Sequence, residues 1–154
     1  MKDVLEAIRA DLAAWGEAPL QPATTERIEA VRVALRDAFG ATLPAGYAAF
    51  LAQADGLSFN GLVLYGSWQS WAMPEVRGGT PGYRFWQGLV EVNALWRDGP
   101  GFEAHLALGE GDMDLITVDL QGENPVVRDK VSNDVFESFA TVEDALVSML
   151  SRRL

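Results

Sequence analysis

Glu110-Gly111-Asp112-Met113-Asp114 places three carboxylates within five residues, and His105, the single histidine, stands five residues ahead of Glu110. Such residues suggest two kinds of chemistry. Clustered carboxylates offer oxygens to a hard cation such as calcium, and an imidazole beside a carboxylate can act as a general base. The surroundings favour neither. The run lacks the twelve-residue ligand loop with its terminal Glu, and it reads as a solvated turn between strands. His105 opens an apolar run, where a hydrogen-bonded structural or surface histidine is expected. Asp114 and Asp119 are separated by an odd number of residues, so on a strand they fall on opposite faces.

The remaining chemistry is excluded more simply. There are no cysteines, hence no disulfide, thiol nucleophile or Cys-based zinc site, and a single histidine excludes multi-histidine metal sites. No Gly-x-Ser-x-Gly elbow is present. Gly78-Gly79-Thr80-Pro81-Gly82 is glycine-rich but contains no Lys, unlike a phosphate-binding loop, and reads as a surface loop. A small enzyme using His105 with Asp112 or Asp114 is thereby disfavoured. The expectation is a chain without catalytic residues, metal or cofactor.

Charge and aromatics point towards binding. The net charge is −10, and residues 103–154 carry eleven carboxylates against four basic side chains (Arg128, Lys130, Arg152, Arg153). Phosphates are recognised by basic surface, so direct nucleic-acid binding is not expected. A basic protein partner would be attracted instead, although acidic surface also serves solubility alone. Trp68, Trp71, Tyr83, Phe85 and Trp86 crowd an irregular stretch. Aromatics are over-represented in interface hot spots, and they also fill cores beneath long loops. Trp68, Trp71 and Tyr83, together with Glu110, Asp112 and Asp114, are the candidate partner-binding residues.

The elements that must position these residues follow from periodicity and punctuation. Val4, Leu5, Ile8, Leu12 and Trp15 fall on one face of an opening helix, and Gly16 to Pro22 reads as a connection. Thr24 can cap a second helix, with Ile28, Val31, Leu35 and Phe39 facing the core and Gly40 stopping it. A third begins near Pro44 and ends at Asp55-Gly56. Leu57 to Tyr65 reads as a hairpin around Asn60-Gly61, and residues 66–84 as a long loop. Phe85 to Arg97 looks helical. Strands are predicted over His105 to Leu108, Met113 to Asp119 and Pro125 to Val131, with turns at Gly109 to Asp112 and Gln121 to Asn124. Asp134 to Phe139 reads as a short helix or turn carrying two core aromatics, Phe136 and Phe139. Thr141 and Asp144 open a last helix in a capping-box arrangement. N-terminal helices, a mostly antiparallel sheet and a C-terminal helix make an α+β fold. The whole chain, 1–154, reads as one domain, with residues 1–22 packed on its body. No segment approaches the ~20 apolar residues of a membrane helix, and the charged opening lacks a secretory signal. A cytoplasmic protein is expected.

Several of these segments carry a resemblance. Leu43-Pro44 followed by Tyr47, Phe50-Leu51 and Asp55-Gly56 resembles a signature of the SUKH (Smi/Knr-like) superfamily, which commonly has Asn-Gly where this chain has Asp55-Gly56. Phe59 to Gly66 is similar to the YrhA branch, as are Leu89 to Arg97 with Asn93 and the Trp96-Arg97 pair, Leu106 to Gly109 followed by Asp112 and Asp114, and Phe136 to Leu150. The resemblance runs from about Ile28 to the C-terminus. It implies a SUKH-like α+β domain and a bacterial immunity protein that neutralises a cognate toxin, a basic nuclease or other effector domain, by direct protein binding. The alternative within the same family is a general intracellular interaction protein with no toxin partner.

Overall fold

In the computed structural model, residues 1–17, 19–67, 87–99 and 101–154 are described. Three helices come first: α1 (Lys2–Ala14), α2 (Thr25–Phe39) and α3 (Ala45–Leu51). A hairpin follows, β1 (Leu57–Phe59) and β2 (Leu62–Leu64), then α4 (Leu89–Arg97). Strands β3 (His105–Glu110), β4 (Asp114–Asp119), β5 (Val126–Asp129) and β6 (Val135–Ser138) lead into α5 (Val142–Ser151). The six strands form one antiparallel sheet in chain order, so this is an α+β fold.

Local chemistry sets the element ends. The Thr24 side chain accepts the Arg27 N–H, and Gly40 closes α2 in the left-handed conformation at φ 63°. Thr141 accepts the Asp144 N–H while its hydroxyl donates to the Asp144 carboxylate. Asn60 and Gly61 both take positive φ, 44° and 79°, as a two-residue hairpin turn demands.

Side chains paired directly across strands share a face. Leu106 with Val118, and Ile116 with Val127, line one face; Ala107 with Thr117, and Leu115 with Arg128, line the other. Both rows are buried. A strand covered on both sides reads as an apolar run, which is why the expected alternation over β4 is only partial.

Four expectations are corrected. Trp15 lies beyond the end of α1 and is exposed, not on its buried stripe. The described helix α4 starts at Leu89, because Gly88 is extended and bridges Gly66. Gly109 and Glu110 belong to β3, and the turn is Gly111 to Met113. A Cβ on Gly109 would meet the Val63 carbonyl at 2.5 Å, so this glycine serves a close strand approach. Finally, 135–138 is the edge strand β6 rather than a helix or turn; Phe139 packs partly on the core while Phe136 is exposed.

Candidate functional site

Three hairpin turns gather at one end of the sheet. The Lys130 N–H donates to the Met113 carbonyl at 3.0 Å, joining the β5–β6 turn to the β3–β4 turn. A Cβ on Gly61 of the β1–β2 turn would lie 3.4 Å from an Asp112 oxygen. Arg153, just past α5, donates to the Asn60 carbonyl at 3.3 Å, and the Asn60 amide returns a bond to the Arg153 carbonyl at 2.8 Å.

The three predicted carboxylates reach this end, and each has a different fate. Glu110 is largely buried and pairs with Lys130 at 2.6 Å. It also lies beside the Tyr65 phenol, whose pKa is driven up by burial first and by the Glu110 charge second. Glu110 is therefore structural. Asp112 is exposed and Asp114 half-buried. Among the described residues neither makes an ion pair. Asp114 stands directly opposite Asp129 in the β4–β5 register. Facing like charges are destabilising. Asp129 partly escapes by turning its carboxylate to the Val131 and Ser132 N–H groups at 2.8 and 2.7 Å, and these bonds lower its pKa.

Apolar side chains missed by sequence reasoning complete the patch. Met113 is 57% exposed, Val131 84%, Val135 52% and Phe136 60%. They come from the β3–β4 turn, the β5–β6 turn and the edge strand, so no single segment announces them. A hint exists for Val131, which sits amid turn residues as Lys130-Val131-Ser132-Asn133. All four are exposed on the turns and edge strand that also carry Asp112, Asp114 and Asp134, and apolar and charged side chains together are what an interface uses.

Trp68, Trp71 and Tyr83 lie outside the described residues, as does Phe85. The stem of that segment is firmly held. Asp55 is buried and accepts the Ser67 N–H at 2.6 Å and the Ser67 hydroxyl at 2.9 Å, while pairing with Arg27 at 2.6 Å.

His105 is not brought to the carboxylates. It begins β3 whereas Glu110 ends it, a span of roughly 15 Å at strand rise. Its pKa is lowered by burial and by the Arg128 charge, with Asp119 opposing and Arg97 adding to the lowering. Among the described residues, no group of three or more His, Asp or Glu is arranged to hold a metal ion, and no helix is long and apolar enough to cross a membrane.

No family model matches the chain, and no curated protein matches it.

Proposed function

We propose that this protein works by binding another protein, as an immunity protein of the SUKH superfamily that neutralises a toxin in the bacterial cytoplasm. The observation that carries the binding role is the exposure of Met113, Val131, Val135 and Phe136 on two adjoining turns and the edge strand, elements that also carry Asp112, Asp114 and Asp134. Apolar anchors supply contact area, and the carboxylates steer a basic face and favour it over neutral or acidic competitors. The family assignment rests on the ordered segments from Leu43-Pro44 to the C-terminal helix.

The partner, on this reading, is the toxin encoded beside the gene for this chain, a basic nuclease or comparable effector domain. Trp68, Trp71 and Tyr83, in the segment that follows Ser67, are proposed to add anchors. Catalysis by this chain has no part in the mechanism, because the toxin is blocked by occupancy. Co-purification of the full chain with the adjacent gene's product at low ionic strength tests this. A stable complex is expected; two species that elute separately would contradict it.

A further inference from the structure

The two edges of the sheet differ. At one edge β1 buries Leu57 and Phe59; at the other β6 leaves Val135 and Phe136 in solvent. The Phe139 N–H bonds the Pro125 carbonyl at 2.9 Å, and the Asp129 N–H bonds the Asp134 carbonyl at 2.9 Å. Backbone groups alternate in direction along an antiparallel strand, and a register shift in the β5–β6 ladder inserts one extra residue, Phe136, between Val135 and Glu137. These two bonds therefore turn the N–H and C=O groups of Val135 and Ser138 away from β5, where Arg128 and Val126 stand opposite them. Among the described residues, no hydrogen bond outside the sheet uses those outward groups.

We infer that β6 receives an extended, lysine- or arginine-bearing segment of the protein partner as a seventh strand. This rests on the binding role proposed above and assigns its geometry. Strand addition uses main-chain bonds for affinity and alternate side chains for choice. Charge decides the occupant. Asp134 is exposed at the head of β6, and Glu137 within it is already held by Arg152 at 2.6 and 2.8 Å. A second copy of this chain would bring its own Asp134 and Glu137 to the same edge, adding another −10 of charge; such edges resist self-pairing. A basic strand meets opposite charge at Asp134, the exposed carboxylate at the head of the edge. Its apolar residues cover Val135 and Phe136.

Amide hydrogen exchange on the full chain, alone and with the adjacent gene's product, tests the inference. The Val135 and Ser138 amides are expected to slow at least about tenfold in the complex. Ser138→Pro removes an outward N–H without removing a bond to β5, and is expected to weaken binding about tenfold where Ser138→Ala does not. A complex in which both amides exchange at the free rate would overturn strand addition and leave the binding role standing. Absence of any complex would overturn the binding role itself, and this inference with it. Protection of the same amides in the chain alone at high concentration would make a second copy the occupant and also overturn it.

Discussion

The Asn93 side chain donates to the Ala107 carbonyl and accepts the Ala107 N–H, both at 2.8 Å. A helix side chain thus stands where a neighbouring strand's backbone would be. β2 pairs with β3 only at Gly109 and Glu110, leaving the earlier part of that β3 edge open. Asn93 closes it, Arg97 adds a bond to the His105 carbonyl at 3.0 Å, and the Trp96 indole donates to the Tyr65 hydroxyl at 3.3 Å. The residues that most strongly carry the family resemblance in this helix are fold-determining.

Asn93→Ala would leave a buried N–H and C=O on Ala107 unpaired and is expected to cost about 3 kcal/mol. Asn93→Asp should fail as well, because a carboxylate accepts the N–H but repels the carbonyls of Ala107 and Leu89. Urea unfolding of the three proteins checks this; an Asp variant as stable as the parent would contradict it.

Asp55 occupies the position where the resemblance anticipates Asn. Asp55→Ala removes acceptors from Ser67 and Arg27 at once and is expected to cost about 3 kcal/mol. Asp55→Asn keeps a carbonyl for the Ser67 N–H and loses the ion pair, so it should cost less than half as much. Thermal unfolding of both variants is the measurement.

Protonation of His105 should oppose folding. Its folded pKa lies below the ordinary 6.5 because of burial and Arg128. The unfolded chain therefore takes up the proton first as pH falls. This contribution to stability is present above 6.5 and is lost as pH drops from there to the folded pKa. His105→Gln should flatten that part of the stability curve. An unchanged slope in urea titrations between pH 7 and 5 would contradict it.

The limits of the sequence are visible in particular residues. Caps at Thr24, Gly40 and Thr141 and the Asn60-Gly61 turn were legible because each is local chemistry. The edge strand β6 was misread because Val135-Phe136-Glu137-Ser138 is short and its partners lie in a different segment. Phe136 looked like core since apolarity alone does not tell a buried face from an exposed one. The carboxylates of the site were legible as a cluster. That Glu110 is paired depends on Lys130 arriving from β5's end, and the Arg153 guanidinium reaches the Asp112 and Asp114 turn from the far end of the chain, contacts no spacing encodes.

Removing charge from the site should leave the fold intact. Asp114 faces Asp129, so Asp112→Asn with Asp114→Asn is expected to change stability by no more than about 0.5 kcal/mol, and in the favourable direction. A loss of more than 2 kcal/mol would show these carboxylates to be structural, like Glu110.

Calorimetric titration of the full chain with the adjacent gene's product, at low and at high salt, tests the binding role most directly. A complex is expected that weakens with added salt, about tenfold further in the doubly neutralised protein, and similarly in Phe136→Ala. An affinity indifferent to salt and to all three substitutions would contradict it.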